Sequence, residues 1–351
     1  VQGMRYCMRH VKGWMRPDRR RSGLLMATTR SRVYYQPKGV VGVIVPWNYP
    51  LALALGPLVS ALAAGNRVMI KMSEATPRTA DTLKATLAGV FPEDHVAVIT
   101  GDVEVGVAFS RLPFDHLLFT GGTDIGRHIM RSAADNLTPV TLELGGKSPT
   151  LITDSVPMTM AAERICFGKA FNAGQTCVAP DYVLCPAPRV DEFVNEFRGA
   201  FAAMYPDLHG NVDYSCIVND RHHARLEGYL ADARAKGAEV ITLAEPGSAD
   251  TRKMPLSLLK GVTEDKTVMQ EEIFGPLLPI VPYERIEDAV AFINARPRPL
   301  ALNLFDNDKA RREQILAQTH SGGVCINDAV SHFIAEDLPF GGVGDSGMGH
   351  Y

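Results

Sequence analysis

The sequence predicts an α/β protein with a doubly wound parallel sheet, followed along the chain by a second α/β domain. Apolar strand-like segments alternate with helix-like segments between Val40 and Glu143, at the spacing of βαβ units. The alternation starts again after Gly145-Gly146, with no internal repeat. At 351 residues and 46% hydrophobic content, the chain is long and apolar enough to bury two cores.

Charge and cysteine content argue against several function classes. A formal net charge of −3 gives no indication of nucleic-acid binding, and the basic run at 16–21 predicts a solvated turn. The six cysteines form neither C-x-x-C pairs nor a zinc-ligand spacing, so we expect no metal and no disulfide framework. No secretory signal is recognisable, and the default compartment is a reducing cytoplasm.

The apolar stretch at 40–65 is long enough to be considered as a membrane-spanning helix. It contains Pro46, Asn48, Pro50 and Pro57, which interrupt any continuous apolar helix. The stretch therefore predicts a buried strand, a turn and a buried helix, and we expect no membrane partner.

The first half of the chain divides regularly into strands and helices. The run at 40–45 is continuously apolar, as in a strand buried on both faces of a parallel sheet. Gly65-Asn66 ends the next helix, and Pro77 begins the following one, where proline is tolerated. The predicted strands are 28–36, 40–45, 67–71, 95–99, 116–119 and 140–143, and the predicted helices are 6–15, 51–64, 77–88, 103–110 and 124–134.

The second half repeats the alternation after a boundary near 145–149. The segment at 190–204 is amphipathic, as expected for a helix on a sheet, and the Gly/Ser/Asp-containing segment at 244–252 predicts an exposed loop. The predicted strands are 150–152, 180–185, 240–243, 277–281 and 324–326, and the predicted helices are 158–171, 190–204, 222–236, 286–294 and 309–318.

A glycine-rich turn follows the apolar strand at 116–119 and opens a helix. The turn reads Thr120-Gly121-Gly122-Thr123-Asp124-Ile125-Gly126. Glycines there let backbone amides approach a phosphate, whose charge the helix N-terminus favours. The turn lacks the full G-x-G-x-x-G pattern, so a plain tight turn is the alternative.

Two further positions carry reactive groups. Cys177 follows Gly174, which breaks a helix-like segment and leaves the thiol on a loop where it can be exposed and deprotonated. The alternative is a cysteine that only packs. Glu143 ends an apolar strand before Gly145-Gly146, where apolar neighbours would raise its pKa and suit a general base. The alternative is a carboxylate that binds the amides of its own turn.

Seven segments together resemble the aldehyde dehydrogenase family, in the order in which that family has them. The resemblance runs from about Val33 to the last residue, and the sequence between the motifs is most similar to the class-3-like branch that includes coniferyl aldehyde dehydrogenases. The segments are Pro46-Trp47-Asn48-Tyr49-Pro50, Lys71-Met72-Ser73-Glu74, Phe119 with the glycine-rich turn, Leu142-Glu143-Leu144-Gly145-Gly146-Lys147-Ser148-Pro149, Gly174-Gln175-Thr176-Cys177, Glu271-Glu272-Ile273-Phe274-Gly275-Pro276 and Leu338-Pro339-Phe340-Gly341-Gly342.

The resemblance implies a Rossmann-type cofactor domain, a second α/β catalytic domain and oxidation of an aldehyde to a carboxylic acid. Cys177 would attack the aldehyde carbon to give a thiohemiacetal and then a thioester. Asn48 and the backbone amide of Cys177 would donate to the developing oxyanion. Glu143 would activate the water that hydrolyses the thioester.

The resemblance also implies the residues that hold an NAD or NADP cofactor. Lys71 and Glu74 would lie at the adenosine ribose, and a carboxylate there favours NAD, with NADP as the alternative. Glu272 would hold the nicotinamide ribose, and Phe274 would pack near the nicotinamide. The remaining implied cofactor residues are Pro46, Trp47, Gly121, Gly122, Gly126 and Leu144. Gly122 departs from the family pattern, because many relatives carry Ser or Asn there.

Four aromatic side chains are candidates for an aldehyde channel. Trp47, Tyr49, Phe171 and Phe340 would suit an aromatic, coniferyl aldehyde-like substrate, but ordinary core packing accounts for them equally well. A broad-range aliphatic or aromatic aldehyde is therefore the competing substrate class.

The resemblance divides the chain into four parts. Residues 1–27 would be the remnant of an N-terminal helical segment, 28–37 an oligomerisation strand, 38–147 the NAD(P)-binding domain and 148–351 the catalytic domain without its C-terminal arm. The full-length protein would be a homodimer. We expect the chain as given, with incomplete ends, to be less stable or less active than a full-length version.

Two other activities compete with hydrolytic aldehyde oxidation. Relatives that pass the thioester to coenzyme A or reduce an acyl phosphate generally lack the base at the position of Glu143. Catalytically silent homologues usually lose the nucleophile or the base, whereas Asn48, Glu143, Cys177 and Glu272 are all present here.

Overall fold

The computed structural model describes residues 2–245 and 251–350, and the chain divides into two compact units. Unit 1 consists of residues 1–120 and 124–141, and unit 2 of residues 121–123 and 142–351. The predicted loop at 244–252 lies largely outside the described residues, since 246–250 are not among them.

The first half of the chain contains five helices and seven strands among its described residues, and from β3 onward strands and helices alternate as predicted. The helices are α1 (Gln2–Trp14), α2 (Pro50–Ala63), α3 (Pro77–Ala88), α4 (Val103–Ser110) and α5 (Thr123–Ala134). The strands are β1 (Asp18–Arg20), β2 (Ser31–Val33), β3 (Val40–Ile44), β4 (Arg67–Lys71), β5 (Val96–Ile99), β6 (His116–Thr120) and β7 (Val140–Glu143).

A parallel sheet forms the centre of unit 1, with strand order β6-β3-β4-β5. The chain winds away from β3 in both directions, which confirms the doubly wound prediction. Val43, Ile70 and Leu117 on three neighbouring strands are completely buried, because helices cover the sheet. Such sheets bind ligands beyond the carboxyl ends of the strands, at the place where the strand order reverses. Here that place lies between β3 and β6.

The prediction of a turn at 16–21 was wrong, because residues Asp18–Arg20 form a strand. This strand pairs antiparallel with β2, in the register Asp18↔Val33. The sequence hid it because all three residues are exposed and charged, so no apolar alternation marks the strand. The strand predicted at 28–36 is also shorter than expected, and only Ser31–Val33 is paired.

The second half has its own sheet. The helices are α6 (Met158–Ala170), α7 (Val190–Met204), α8 (Asp220–Ala235), α9 (Thr267–Gln270), α10 (Ile286–Asn294) and α11 (Lys309–Gln318). The strands are β8 (Pro149–Ile152), β9 (Tyr182–Pro186), β10 (Glu239–Thr242), β11 (Ser257–Lys260), β12 (Leu277–Tyr283), β13 (Ala301–Phe305), β14 (Gly323–Ile326) and β15 (Gly347–Met348). The seven-stranded sheet has the order β10-β11-β12-β9-β8-β13-β14 and is parallel except for the pair β10–β11.

Four of these elements were not predicted. The strand β13, although completely buried, was not recognised between the predicted helices at 286–294 and 309–318. The strand β11 and the single-turn helix α9 are too short to show a periodic pattern. The strand β15 is two residues long and exists only because it pairs antiparallel with the end of β7. Through this pairing Gly347 lies opposite Glu143, so the C-terminal glycine-rich segment supports the strand that carries the candidate base.

Aromatic packing between α6 and α7 anchors the helix that leads to the candidate nucleophile. Phe193, Phe197 and Phe201 recur at every fourth position of α7 and are fully buried. Opposite them, α6 buries Ile165 and Cys166 in the same core. The C-terminal end of α6 is thereby fixed in unit 2. Among the described residues, no helix has the length and apolar character needed to span a membrane.

Candidate active site

The candidate nucleophile follows a strained turn at the end of α6. After Ala170 a single 3-10 turn, Phe171–Gly174, carries Asn172, Ala173 and Gly174 with φ values of 50°, 51° and 72°. A Cβ atom on Gly174 would collide with the carbonyl oxygen of Gly275, so glycine is required there. Strain of this kind persists only where the surroundings enforce it.

A buried glutamine holds that turn in place. The side-chain amide of Gln175 donates to the carbonyl oxygens of Asn172 and Cys216, at 3.0 and 3.1 Å. Its side-chain oxygen accepts a hydrogen bond from the backbone amide of Val218 at 3.0 Å. The turn is therefore fastened to the segment that precedes α8, and the position of Cys177 is set by contacts far from it in sequence.

The thiol of Cys177 is half-buried and protonated in the free protein. Burial, followed by the negative charges of Glu272 and Glu143, raises the pKa of Cys177 to about 12. The backbone amides of Cys177 and Val178 oppose this shift by donating to the sulfur. Desolvation at this site therefore opposes the deprotonated form that a thiol on a loop can adopt.

Glu143 is a buried carboxylate at the end of β7. Only 2% of its surface is exposed, and burial raises its pKa to about 8. Within the described part of the chain, neither carboxylate oxygen has a hydrogen-bond partner. The raised pKa confirms the sequence prediction, and the alternative of a carboxylate bound to its own turn is not observed. An unpartnered buried carboxylate is costly for stability, which is typical of a functional group.

Glu272 lies directly against the turn that follows Glu143. Its carboxylate oxygens occupy the space that a side chain on Gly145 would need, so Gly145 permits this approach. Burial, followed by the charge of Asp181, raises the pKa of Glu272 to about 8, while the backbone amide of Gly146 donates to it and opposes the shift. Leu144 beside this turn is buried and donates its backbone amide to the carbonyl oxygen of Ser346 at 3.0 Å.

A buried ion pair between Lys147 and Asp181 connects the segments that carry these groups. The ammonium of Lys147 also donates to the carbonyl oxygens of Val268 and Glu271, at 2.8 and 2.9 Å. The other oxygen of Asp181 accepts from the backbone amide of Ile273 at 2.9 Å. The turn after β7, the segment before β9 and the Glu272 loop are thus held by one pair of charges, which we call the Lys147–Asp181 clamp.

Arg225 on α8 holds the Glu272 loop from another side. Its guanidinium donates to the carbonyl oxygens of Glu272 and Ile273, at 3.1 and 2.8 Å. Between these contacts and Gly275, Phe274 adopts a φ of 48°, which is unfavourable for an aromatic residue. The arginine and the clamp together enforce this conformation.

The candidate cofactor residues of unit 1 lie at the carboxyl ends of parallel strands. Pro46, Trp47, Asn48 and Tyr49 are half-buried in the loop between β3 and α2. The ammonium of Lys71, at the end of β4, donates to the carbonyl oxygens of Met72 and Gly101, at 2.7 and 2.9 Å, and Glu74 is exposed. Burial, opposed by Glu74 and Asp102, lowers the pKa of Lys71.

The structure separates the three glycines that were assigned to one turn. Gly121 and Gly122 form the turn, and Gly122 faces open space, so a larger residue would fit there. Gly126 is buried inside α5 instead, where it belongs to the helix. The hydroxyl of Thr120, just before the turn, is buried and has no hydrogen-bond partner among the described residues.

The candidate channel residues are distributed over both units. In unit 2, Cys177 and Phe340 pack against one apolar cluster formed by Val178, Leu300, Ala301, Ala329 and Val330. Phe171 is half-buried, and its ring lies tilted against that of Phe167 with 5.7 Å between centroids, while Tyr49 belongs to unit 1. Unit 2 thus brings together Cys177, Glu143, Glu272 and Phe340.

Sequence reasoning missed the residues that fix this arrangement. Lys147, Asp181 and Arg225 hold backbone groups of the loop that carries Glu272. Lys169 was also missed; it is fully buried, and burial lowers its pKa to about 8. A charged residue directly before an apolar strand, as Asp181 is before β9, was the available indication. It was not used because such residues usually face solvent.

The family model described as "Aldehyde dehydrogenase family" matches residues 1–351. The chain belongs to the aldehyde dehydrogenase family and is an oxidoreductase of that class. It is 61% identical over 351 residues to a "Probable coniferyl aldehyde dehydrogenase" of Pseudomonas aeruginosa, covering 100% of the chain and 73% of that protein. It is also 42% identical over 332 residues to "Aldehyde dehydrogenase family 3 member A2" of Rattus norvegicus, covering 94% of the chain and 67% of the relative. These relatives confirm the predicted class-3-like branch.

Solved structures give the same assignment. The "Substrate bound state of Staphylococcus Aureus AldH" superposes with a TM-score of 0.94 at 38% identity, covering 100% of this chain and 76% of that one. An aldehyde dehydrogenase of Mycobacterium tuberculosis complexed with NAD+ superposes with a TM-score of 0.87 at 32% identity, covering 99% and 73%. The predicted fold class is confirmed.

The clamp generates a stability prediction. Asp181→Asn should lower the free energy of unfolding by about 3–5 kcal/mol, because it leaves the ammonium of Lys147 buried without a counter-charge. Urea unfolding followed by fluorescence measures this. Glu287→Gln, which breaks an ion pair between two exposed side chains, should leave the transition unchanged. A variant as stable as the wild type would show that the clamp does not stabilise unit 2.

The site also predicts the reactivity of the thiol. In a Cys216→Ala background, which removes an exposed thiol, alkylation of Cys177 by iodoacetamide should be slow at pH 7 and rise far into the alkaline range. Adding Glu143→Gln should accelerate alkylation only above about pH 8, where the carboxyl group would otherwise be ionised. Mass spectrometry of the Cys177 peptide measures both rates. A thiol that titrates near neutral pH in the free protein would contradict the prediction.

Proposed function

We propose that this protein oxidises an aldehyde to a carboxylic acid through a thioester on Cys177, with NAD as its preferred cofactor. One observation carries the proposal. Glu143 is a buried carboxylate without a hydrogen-bond partner among the described residues, and its charge contributes, after burial and Glu272, to the raised pKa of the Cys177 thiol. A nucleophile and a desolvated base acting on one another are what a thioester hydrolase mechanism requires.

Cys177 and its surroundings perform the first step. The thiol releases its proton to solvent, and the sulfur bonds to the aldehyde carbon while the electron pair of the carbon–oxygen π bond moves to the oxygen. The product is a thiohemiacetal whose oxygen carries the developing charge. The backbone amide of Cys177 and the side-chain amide of Asn48 donate to that oxygen, a role for Asn48 that rests on the family resemblance alone. Losing one such donor typically costs about a hundredfold or more in rate.

Glu143 performs the last step. As the carboxylate it takes a proton from water, whose oxygen then bonds to the thioester carbon while the carbon–sulfur bond breaks. A general base is most effective when its pKa is close to the working pH, and about 8 meets this condition. The presence of this base favours hydrolysis over transfer of the acyl group to coenzyme A.

The residues present fit a dinucleotide cofactor. In unit 1 the unpartnered hydroxyl of Thr120 lies at the strand-order reversal between β6 and β3, where sheets of this type bind nucleotides. When bound, such a cofactor would supply a hydride acceptor for oxidation of the thiohemiacetal carbon to the thioester. Lys71 and Glu74 would hold the adenosine ribose and Glu272 the nicotinamide ribose. The exposed carboxylate of Glu74 would repel a 2′-phosphate, which favours NAD over NADP.

An aromatic aldehyde of the coniferyl aldehyde type is the proposed substrate. Support comes from the 61% identity with the Pseudomonas aeruginosa relative and from Phe340, which shares an apolar cluster with Cys177. A broad-range aliphatic or aromatic activity is the alternative, since those contacts would serve any apolar aldehyde.

Localisation and assembly remain predictions. All six cysteines are free thiols, which supports a reducing compartment such as the cytoplasm. The exposed leucines Leu24 and Leu25, beside the β1–β2 hairpin, support a homodimer contact at the predicted oligomerisation strand.

Replacing the nucleophile should abolish the activity. Cys177→Ala should reduce aldehyde oxidation by about a thousandfold or more, because no other group in the proposed mechanism forms the thioester. Formation of the carboxylic acid from coniferaldehyde, benzaldehyde and hexanal, with NAD and with NADP, measures the effect and ranks substrates and cofactors. Cys216→Ala, at an exposed thiol, is the control and should keep full activity. A folded wild type that oxidises none of these aldehydes would favour a catalytically silent homologue.

Replacing the base should leave the first half of the reaction intact. Glu143→Gln should release about one equivalent of reduced cofactor per site and then slow by roughly 100-fold or more, because the thioester is no longer hydrolysed. The single-turnover rate of thioester hydrolysis in the wild type should rise with pH through about 8, since only the ionised carboxylate accepts the proton. Rapid-mixing kinetics across pH test both. A Glu143→Gln enzyme that keeps this pH limb would contradict the assignment.

A further inference from the structure

A small cavity lies beside Phe340 in unit 2 and has one polar wall. Its volume is about 50 Å³, and it is bounded by the start of β14, the imidazole of His332 and the segment 338–341. This volume holds a water molecule or a small substituent, whereas sites that bury a whole ligand enclose roughly 300 Å³ or more. The outer wall includes Leu338, whose side chain is exposed, so the cavity adjoins the surface.

Contacts on three sides fix the imidazole of His332. Its Nδ1 lies 3.1 Å from the sulfur of Cys325, and its ring stacks on that of Phe340 with 5.9 Å between centroids. A Cβ atom on Gly323 would be 3.0 Å from the ring carbon Cδ2, so glycine at that position leaves room for the ring. The ring is oriented by these neighbours and has little freedom to turn.

The remaining nitrogen of this ring has no partner. Nε2 of His332 is buried and makes no hydrogen bond within the described residues, although the ring borders the cavity. A buried polar atom without a partner costs stability, and a ligand group that satisfies it recovers that cost. The rest of the cavity wall is apolar side chain and glycine backbone, so Nε2 is the one side-chain hydrogen-bonding group among the residues that line it.

Either tautomer of His332 leaves Nε2 able to bind a hydroxyl group. If the thiol of Cys325 donates to Nδ1, the proton of the neutral ring is on Nε2, which then donates. If Nδ1 donates to the sulfur, Nε2 accepts. A phenolic hydroxyl can serve as acceptor in the first case and as donor in the second. Burial lowers the pKa of His332, which keeps the ring neutral at pH 7.

The cavity is connected to the nucleophile by packing. His332 stacks on Phe340, and Phe340 shares its apolar cluster with Cys177. In a 4-hydroxyphenyl-propenal the aldehyde carbon and the ring hydroxyl lie at opposite ends of a flat conjugated molecule. With the aldehyde carbon at Cys177, a ring packed along Phe340 directs its hydroxyl toward His332.

We propose that Nε2 of His332 binds the ring hydroxyl of 4-hydroxyphenyl-propenal substrates and thereby makes the enzyme selective for them. The cavity accepts this hydroxyl, while the aromatic ring remains against Phe340. This inference rests on the proposed function, because it assumes that the aldehyde reacts at Cys177. It adds a polar specificity residue to an apolar wall, and sites that bind a substrate hydroxyl reject analogues that lack it.

The test compares coniferaldehyde with cinnamaldehyde, which lacks the ring hydroxyl. For each aldehyde, kcat/KM is measured in the complete protein by chromatography of the carboxylic acid. His332→Leu should lower the coniferaldehyde value about tenfold, mainly through KM, and leave the cinnamaldehyde value within about twofold. His332→Gln, which keeps a hydrogen-bonding side chain, should prefer coniferaldehyde more than His332→Leu does and less than the wild type does. Glu336→Gln is the matched control, because this exposed residue of the following loop does not line the cavity, and it should leave both values unchanged.

The outcomes separate this inference from the proposed function. A wild type that oxidises both aldehydes, with a His332→Leu variant of unchanged preference, overturns the hydroxyl site and leaves the proposed function standing. A wild type that oxidises neither overturns both. If His332→Leu does not fold, His332→Gln and Cys325→Ala give the comparison instead. Cys325→Ala should reduce the preference, because the ring loses the contact at Nδ1, and an unchanged preference in both variants overturns the proposal.

Discussion

The Lys147–Asp181 clamp is the interaction on which the catalytic half of this protein depends. It joins the turn after the Glu143 strand, the segment between Cys177 and β9, and the loop of Glu272. Because both charges are buried, either one alone would be strongly destabilising, so the three segments are held in place together or not at all. The clamp thereby gives unit 2 a rigid frame around the thiol.

Within this frame, burial is the main influence on the chemistry. Desolvation is the largest cause of the raised pKa of Cys177, Glu143 and Glu272. Burial therefore favours the uncharged form of each of these groups in the free protein. The same low polarity explains why an unpartnered nitrogen such as Nε2 of His332 selects strongly for a ligand that satisfies it.

Local sequence patterns were sufficient to predict a strand or helix where the apolar residues of that segment alone show that it is buried. The strand β3 and the helices α2 and α7 were predicted nearly to the residue, because apolar runs and stop residues are properties of neighbouring positions. The patterns failed for β1 and β15. The strand conformation of β1 comes from pairing with β2 and that of β15 from pairing with β7, and neither strand has an apolar face that a local pattern would show.

The sequence by itself determined the fold class, the family motifs and the identity of Cys177 and Glu143 as candidate catalytic residues, because residue type and local spacing carry that information. Only the tertiary structure decided the protonation of these groups, since their pKa values depend on which charges and how much solvent surround them. It also decided the supporting set of Lys147, Asp181 and Arg225. These residues act on carbonyl and amide groups distant in sequence, and no local pattern records such contacts.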